Sequence, residues 1–245
     1  MNKLQPPIKN FSFARNVSQM FGVNKSLYKK QFGIPGHNAL DLYVSDSKLG
    51  YGTPIYAMHD GVVERIVYDV PHQTRGNGIY LLSTDNSYST VYWHLANFSV
   101  QVGQKITVGD LLGSMGNSGY VMPRPNHLSP HLGTHLHAGL KIHGLSNEYG
   151  GFVDPTPYLF DTESVDKLPV RFNRNLQYGD TGDDVAWLQT ILHIEGFGGD
   201  YSVYGIFGRK TLRDVIKLQR KYKIEPSWGF VWPKTRRYIN SRYSK

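Results

Sequence analysis

The sequence predicts a mainly β protein, in which an antiparallel sheet domain is followed by a small bundle of three helices. Short runs of β-branched and aromatic residues, separated by glycine turns, fill residues 52–142, and this is the pattern of closely connected strands. Apolar residues recur at helical spacing after residue 181. With 40% hydrophobic and 19% charged residues over 245 positions, the chain has the composition of a folded protein of one or two domains.

The strand segments follow one another without a long helical stretch between them. "TPIYAMHDGVVERIVY" predicts a hairpin that turns at Asp60 and Gly61. "NGIYLLST", "YSTVYWHL" and "VQVGQKITVGDLLGSMG" continue the pattern, and strands at such short intervals usually pair antiparallel. The stretch 121–132 contains three prolines, so we expect a loop there, over one end of the sheet.

Three helices are predicted in the last third of the chain. The first begins near Thr181 or Asp183 and ends before Gly196. Pro233 suits the first turn of the third helix. Apolar stripes identify the first two helices: Val185, Leu188, Ile191 and Leu192 in one, and Leu212, Val215, Ile216 and Tyr222 in the other.

This change of pattern divides the chain into two domains. We predict a first domain over residues 1–160, with its core at about 30–142, a linker over 161–172 and a helical domain over 173–245. The first 169 residues hold 13 basic and 12 acidic side chains, whereas the remainder holds 14 and 7, a net charge of +7. That surplus predicts an anionic partner for the helical domain.

The sequence lacks two features, cysteine residues and long apolar segments, which excludes several kinds of site and a membrane span. The chain has no cysteine, which excludes disulfides, zinc–thiolate sites and thiol catalysis, so a zinc site must use His, Asp or Glu. No window contains the roughly 18 consecutive apolar residues of a membrane span. The first 30 residues show no signal peptide, so we expect neither a membrane span nor a secretion leader.

The candidate metal ligands are histidines and one aspartate. In "GTHLHAGL", His135 and His137 share one face of an extended strand. In "HNALD", His37 stands four residues before Asp41 and shares a face with it in a strand or in a helix. One histidine of the first pair would complete a set of three ligands with an open fourth position, as in catalytic zinc sites. By itself, His-x-His also fits two ordinary polar residues on a solvated sheet.

The remaining histidines are divided by context. In "TVYWHL", alternation places Trp93 on the buried face and His94 with Tyr92 on the other. If the face of His94 is shared with His135 and His137, three imidazoles line one groove. His127 and His131 are expected to be loop residues near that groove. Four others are expected to be surface or turn residues: His59, His72, His143 and His193.

Five segments in order resemble the lysostaphin-like zinc endopeptidases, which cut peptide cross-links in bacterial peptidoglycan. They are "HNALD", "GTPIYAMHDGVV", "YWHL", "VQVGQKITVGDLLGSMGNSG" and "HLH", over about residues 30–142. The resemblance implies a lysostaphin-like β fold and one zinc ion held by His37, Asp41 and His137. It implies that His94 and His135 are the two active-site histidines that do not bind the metal.

This sequence differs from the family pattern at positions that are expected to form the walls of the active-site groove. The family usually has Phe-Glu after its His-x-His, where this chain has Ala138 and Gly139, and Gly where this chain has Ala39. The connection over 121–132 is also longer than usual. No ligand is lost, but the choice of substrate is left open, and we assign no substrate-binding residue.

The C-terminal segment resembles the small three-helix peptidoglycan-binding domain. The segments of this chain that carry the resemblance are "GDTGDDVAWLQTIL", "GFGGDYSVYGIFGRKT", "VIKLQRKYKI" and "GFVWPKTRRYI", over about residues 174–241. A basic three-helix domain that binds DNA is the alternative. Since both resemblances lead to one substrate, we expect peptidoglycan and not nucleic acid as the partner.

Together the resemblances imply zinc-dependent hydrolysis of stem or cross-bridge peptides in peptidoglycan by a monomeric, bacteriolytic enzyme. His135 is expected to act as the general base and His94 to orient the water or bind the oxyanion, although these two roles can be exchanged. The alternatives are a non-catalytic wall-binding or phage-particle component with a degenerate peptidase fold, and a zinc carboxypeptidase. Because the enzyme would act at the cell wall without a visible leader, we expect a phage endolysin released by lysis or a chain whose leader has been removed.

Overall fold

The computed structural model describes residues 3–11, 16–44, 50–70, 74–159, 171–197 and 205–243. It contains two compact units. The described residues up to Leu159 form the first unit, and those from Arg171 onward lie in the second. The first unit is built mainly of antiparallel strands and the second mainly of helices, which confirms the predicted fold class. The exact domain and linker boundaries stay predictions.

Eleven strands are described in the first unit, in two sheets. The larger sheet has the strand order β1-β2-β10-β6-β5-β4-β8, with β11 paired to β10, and the smaller has the order β3-β9-β7. All pairings are antiparallel. The strands are β1 (Val17–Gln19), β2 (Leu40–Leu42), β3 (Pro54–Tyr56), β4 (Gly61–Val67), β5 (Gly78–Ser83), β6 (Tyr88–Trp93), β7 (Leu95–Phe98), β8 (Lys105–Ile106), β9 (Leu111–Met115), β10 (Leu136–Ile142) and β11 (Phe152–Val153).

The predicted hairpin at Asp60 and Gly61 is wrong. Strand β3 pairs with β9 in the smaller sheet, whereas β4 pairs with β5 and β8 in the larger one. The Oδ1 atom of Asp60 accepts the backbone N–H of Val108 at 2.7 Å. This bond holds the connection between β3 and β4 against the segment before β9. The chain therefore passes from one sheet to the other at this point and does not form a hairpin.

Strand β6 lies at the centre of the larger sheet and is buried along its whole length. Its neighbours β5 and β10 supply further buried apolar side chains, among them Ile79, Leu81, Leu136 and Leu140. The most N-terminal described residues also belong to this core. Leu4 is fully buried, and its backbone N–H donates to the carbonyl of Tyr158 at 2.8 Å.

His59, expected at the surface or in a turn, lies in the bend between β3 and β4, but it is buried. Its Nδ1 donates to the Asp60 carbonyl at 2.8 Å, which leaves Nε2 to accept the Thr90 hydroxyl at 2.9 Å. The Tyr92 hydroxyl lies 3.0 Å from Thr90 Oγ1 and accepts the N–H of Met58 at 2.8 Å. Burial lowers the pKa of His59, so a neutral imidazole completes this chain of bonds. Among the other three, His143 is exposed, His193 is half-buried, and His72 lies outside the described residues.

Helices of the first unit are short. They are α1 (Lys25–Phe32), which precedes β2, and α2 (Thr156–Leu159), which follows β11. The second unit contains α3 (Asp183–Ile194), α4 (Arg209–Lys221) and α5 (Pro233–Tyr243), so the three predicted helices are confirmed. None of the helices in the described ranges has the length and apolar character of a membrane-spanning segment.

A buried glutamine fixes the loop between α3 and α4. Gln189 is 1% exposed, and its Nε2 donates to the carbonyl of Ile206 at 3.0 Å and to the hydroxyl of Thr211 at 3.1 Å. Its Oε1 accepts the backbone N–H of Gly205 at 3.0 Å. The amide therefore supplies hydrogen-bond partners to the backbone of Gly205 and Ile206.

The same set of bonds occurs once more, between α4 and α5. Gln219 is also 1% exposed, and its Nε2 donates to the carbonyl of Phe230 at 2.8 Å and to the Thr235 hydroxyl at 2.9 Å. Its Oε1 accepts the N–H of Gly229 at 2.9 Å. The sequences "GIFGRKT" and "GFVWPKT" that follow the two glutamines thus form two copies of one structural unit, here called the glutamine clamp.

Candidate active site

Three neighbouring strands bring the predicted metal ligands together. In the larger sheet, β10 lies between β2 and β6, and His137 on β10 faces Asp41 on one side and Trp93 on the other. His37 comes three residues before β2. The candidate ligands therefore come from two sequence segments that are joined by strand pairing.

His37, Asp41 and His137, here called the metal triad, present three ligand atoms at nearly equal separations. The Nε2 of His37 lies 3.0 Å from Oδ1 of Asp41 and 3.1 Å from Nδ1 of His137, and the last two atoms are 3.1 Å apart. A zinc ion held tetrahedrally at about 2.0–2.1 Å separates its ligand atoms by about 3.3 Å. All three side chains are buried, and the group has the composition and spacing to hold a metal ion.

Hydrogen bonds around the metal triad leave lone pairs facing each other. The Nδ1 of His37 donates to the carbonyl of Met20 at 2.9 Å, so its Nε2 carries a lone pair directed at the Asp41 carboxylate. Two acceptors at that distance repel each other unless a cation lies between them. The Nε2 of His137 is buried and has no hydrogen-bond partner among the described residues. The residues present therefore fit a bound cation.

Burial and neighbouring charges keep these groups in the protonation states of metal ligands. Burial alone would raise the pKa of Asp41, but the neighbouring imidazoles of His37, His135 and His137 hold that pKa well below its usual value. Burial lowers the pKa of His137 to about 4. A carboxylate and neutral imidazoles are the forms that bind a divalent ion.

His94 and His135 lie beside the metal triad, and neither has a hydrogen-bond partner at Nε2 among the described residues. Nδ1 of His94 donates to the carbonyl of Ser118 at 2.8 Å, and Nδ1 of His135 donates to the carbonyl of Gly133 at 2.7 Å. The two rings are 4.6 Å apart between centroids, and Nε2 of His135 is 3.7 Å from Oδ1 of Asp41. Burial, followed by the charges of His135 and His137, lowers the pKa of His94 well below its usual value. The Nε2 of His94 is thus an acceptor.

Trp93 is buried as predicted, but the prediction that His94 shares a face with Tyr92 is wrong. His94 has a φ of 64°, a left-handed conformation that few residues other than glycine adopt, and it interrupts the chain between β6 and β7. Trp93 stacks on His137, with centroids 4.7 Å apart and planes at 15°, and it lines the same cleft as His94. Tyr92 is fully buried among core residues instead. The expected groove of three imidazoles exists, since His94, His135 and His137 all line it.

The cleft above the metal triad has a volume of about 410 Å³. One wall is helix α1, whose residues Leu27, Tyr28, Gln31 and Phe32 line it. The N-terminal segment therefore supplies part of the cleft, a role that sequence patterns did not predict. The loop that was predicted over one end of the sheet supplies Val121 and Met122, whereas His127 and His131 are not among the lining residues.

Tyr28 is a candidate functional residue that sequence reasoning missed. Its ring centroid lies 5.3 Å from that of His37, and its hydroxyl oxygen accepts a hydrogen bond from Gln19 at 2.9 Å. Burial and then the charge of Asp41 raise the pKa of Tyr28, so the hydroxyl keeps its proton and can donate it in a hydrogen bond. No local sequence signal marks Tyr28, because only the tertiary fold brings α1 to the metal triad.

Close packing under the cleft accounts for Gly139. A Cβ atom at this position would lie 2.7 Å from Cγ2 of Val91 and 3.2 Å from Cε1 of Phe152. Phe152 lines the cleft and thus lies beside the place where the resembled family usually carries larger residues. Its ring therefore requires the small residue at 139.

Comparison with known proteins shows what this arrangement resembles. Residues 36–149 match the model of peptidase family M23. This segment is similar to the M23 peptidases and is here called the M23 domain. The M23 domain includes the metal triad, His94 and His135, whereas Met20, Gln19 and Tyr28 precede the matched residues.

Two curated relatives illustrate the similarity. The chain is 33% identical over 131 residues to peptidoglycan DD-endopeptidase ShyC of Vibrio cholerae, a match that covers 54% of this chain and 26% of the relative. It is 29% identical over 136 residues to glycyl-glycine endopeptidase ALE-1 of Staphylococcus capitis, covering 54% and 34%. The chain therefore spans about a quarter to a third of the length of these relatives.

Among solved structures, the chain is similar to lysostaphin from Staphylococcus simulans. The sequence identity is 21%, the TM-score is 0.45, and the match covers 63% of this chain and 53% of lysostaphin. A structure of LytU matches with 24% identity and a TM-score of 0.44, covering 61% of this chain and 87% of that one.

Proposed function

We propose that the M23 domain is a zinc-dependent endopeptidase that hydrolyses stem or cross-bridge peptides of bacterial peptidoglycan. The observation that carries this proposal is the metal triad, with two imidazoles beside it that each present a free Nε2. The names of the two curated relatives, a peptidoglycan DD-endopeptidase and a glycyl-glycine endopeptidase, support the substrate class.

His37, Asp41 and His137 would hold the metal ion. Zinc in such a site polarises a carbonyl group and lowers the pKa of a bound water to about 7. The carbonyl of Met20 orients His37 through its Nδ1–H, and such outer partners fix the tautomer of a histidine ligand. Trp93 stacks on His137 and holds that imidazole ring in place.

The two other histidines divide the proton chemistry. His135 accepts the proton of the attacking water at Nε2 and delivers it to the nitrogen of the leaving amine. The carbonyl of Gly133 stabilises the cation that forms in between, because it accepts the Nδ1–H bond. His94 accepts a hydrogen bond from the water at its own Nε2 and orients it. Since that nitrogen carries no proton, the orienting role suits His94 better than the binding of an oxyanion.

We propose that the helical unit binds the cell wall. Two observations support this: Trp228 and Trp232 are 60% and 39% exposed, and the sequence from residue 170 has 14 basic against 7 acidic residues. Exposed aromatic side chains in a positively charged setting suit an anionic polymer that carries sugar rings. A chain made of both units would then act at the wall.

Lysis of purified cell walls tests the proposed activity. The zinc-loaded protein should reduce the turbidity of a wall suspension, and a chelator should abolish the effect. His137→Ala should remove both zinc and lysis, whereas His143→Ala should change neither, because His143 is exposed and lies away from the metal triad. Lysis that is unchanged in His137→Ala would overturn the assignment.

A non-catalytic wall-binding or phage-particle component is the second candidate. It predicts that the protein sediments with walls, binds zinc and releases no peptide fragments. Mass spectrometry of the digested walls separates this candidate from the endopeptidase, and the position of the cut also distinguishes an endopeptidase from a carboxypeptidase.

A further inference from the structure

We propose that Arg75 and Arg124 make one end of the cleft a binding site for a carboxylate of the substrate. The M23 domain would then prefer peptides that carry a free carboxylate next to the scissile bond over neutral oligoglycine. This inference rests on the proposed peptidase function and specifies its substrate class.

Arg75 lies in the cleft, next to a side chain of the active site. It is exposed and lines the cleft, and its Cζ atom lies 5.3 Å from the centre of the Trp93 ring. Trp93 in turn stacks on His137 of the metal triad. Arg75 forms no ion pair with an acidic side chain among the described residues, so its charge is available to a ligand.

Arg124 repeats this arrangement from a second loop. It is exposed and does not itself line the cleft, but its Cζ atom lies 5.0 Å from the centre of the ring of Tyr120, which does. Contact with an aromatic face restricts a guanidinium group and leaves its N–H donors free along the edge. Both arginines therefore lie over an aromatic ring at this end of the cleft.

Hydrogen bonds join the two loops at the same end of the cleft. The backbone N–H of Tyr120 donates to the carbonyl of Thr74 at 2.9 Å, one residue before Arg75. Next to it, Gly76 and Gly119 pack so closely that a Cβ on Gly119 would lie 2.3 Å from the nitrogen of Gly76. The loops thus place the segments of the two arginines side by side.

The charges of the lining residues make this end specific for anions. Apart from the histidines, the described residues that line the cleft include one basic side chain, Arg75, and one acidic side chain, Asp41. Asp41 belongs to the metal triad. A guanidinium group binds a carboxylate through two parallel N–H···O bonds. Oligoglycine has no side-chain carboxylate, so it leaves both arginines without a partner.

Cleavage of two matched peptides by the zinc-loaded, full-length protein tests the inference. The peptides are identical except that the residue next to the scissile bond carries a free carboxylate in one and the corresponding amide in the other. The unaltered protein should have a KM about 10-fold lower for the carboxylate peptide. In Arg75→Gln this preference should fall to less than threefold, with kcat changed less than twofold, and Arg124→Gln should reduce the preference in part.

Arg65→Gln is the matched control. Arg65 is also exposed and lies over an aromatic ring, with its Cζ atom 4.0 Å from the centre of Tyr80, but it does not line the cleft. Tyr80 does not line the cleft either, in contrast to Tyr120 beneath Arg124. This variant should therefore keep the preference of the unaltered protein. Equal KM values for the two peptides in the unaltered protein would overturn the inference, and so would an equal loss for both peptides in Arg75→Gln.

Binding measurements separate this inference from the proposed function. If neither peptide is cleaved, the proposed activity fails, and calorimetric titration of the zinc-loaded protein with the same peptides still tests the arginines. Tighter binding of the carboxylate peptide that is lost in Arg75→Gln supports the site. Equal affinity for both peptides overturns it.

Discussion

At the scale of single residues, the site depends on the backbone partner of each imidazole. His37, His94 and His135 each donate Nδ1–H to a carbonyl, of Met20, Ser118 and Gly133 respectively. A carbonyl oxygen can only accept, so the proton is fixed on Nδ1 and Nε2 is directed into the site. The same type of side chain therefore serves as metal ligand or as proton acceptor, according to where its Nε2 points.

Zinc content distinguishes the two kinds of histidine. His37→Ala should lose the metal and turnover together, because the two remaining ligands are too few for a stable zinc site. His94→Ala should keep about one zinc per chain and lose most of its turnover, by a factor of about 10²–10³. Elemental analysis and peptide cleavage on the same samples measure both effects. Loss of zinc in His94→Ala would make His94 a ligand and contradict the proposed division of roles.

At the scale of secondary-structure elements, short connections that are fixed by side chains determine the fold. Each glutamine clamp holds a loop to the preceding helix by bonds to a glycine N–H, a carbonyl and a threonine hydroxyl. Buried polar groups of a loop need such partners. The Gln and Gly-x-x-x-x-Lys-Thr pattern in the sequence is thus explained by hydrogen bonding and does not depend on function.

Replacing a clamp glutamine should destabilise the helical unit. Gln219→Leu keeps the approximate volume but leaves the N–H of Gly229 and the carbonyl of Phe230 without a partner, which should cost about 2–4 kcal/mol. Gln189→Leu should cost a similar amount, because its bonds are the same. Gln177→Leu, at an exposed position, should change the free energy of unfolding by less than about 0.5 kcal/mol. Urea unfolding followed by fluorescence measures all three, and a stability of Gln219→Leu equal to that of Gln177→Leu would contradict the role of the clamp.

At the scale of the whole molecule, charge is divided between the two parts of the chain. The first 169 residues are nearly neutral, whereas the rest carry a net charge of +7. Electrostatic attraction of the basic part to an anionic wall weakens with ionic strength. Hydrolysis of a neutral soluble peptide does not need that attraction, so the two activities should respond differently to salt.

Raising the NaCl concentration from about 0.05 to 0.5 M should weaken wall binding at least about fivefold and change cleavage of the neutral amide peptide less than twofold. Replacing the exposed Arg213 and Arg237 by Gln should weaken wall binding in low salt. Replacing the exposed Lys9 and Lys105 of the first unit is the matched control. Sedimentation with purified walls measures the bound fraction. Binding that is independent of both salt and these arginines would exclude charge as the source of wall affinity.

The sequence by itself determined the fold class, the helices and the candidate ligands His37, Asp41 and one of the pair His135 and His137, while the choice of His137 came from the family resemblance. It could do so because these features depend on spacing along a short segment. His37 and Asp41 are four residues apart, His135 and His137 are two apart, and each helix carries its own apolar stripe. Strand and helix periodicities are local properties of the backbone.

Only the tertiary structure decided how the site is completed. The carbonyl of Met20, the hydroxyl of Tyr28 and the two arginine loops reach the cleft through contacts between distant segments. The left-handed conformation of His94, which places Trp93 beside the metal triad, departs from the regular alternation that sequence reasoning assumes. Pairing of β3 with β9 and the burial of His59 were missed for the same physical reason. Long-range packing and hydrogen bonding select among conformations that the local sequence leaves equally available.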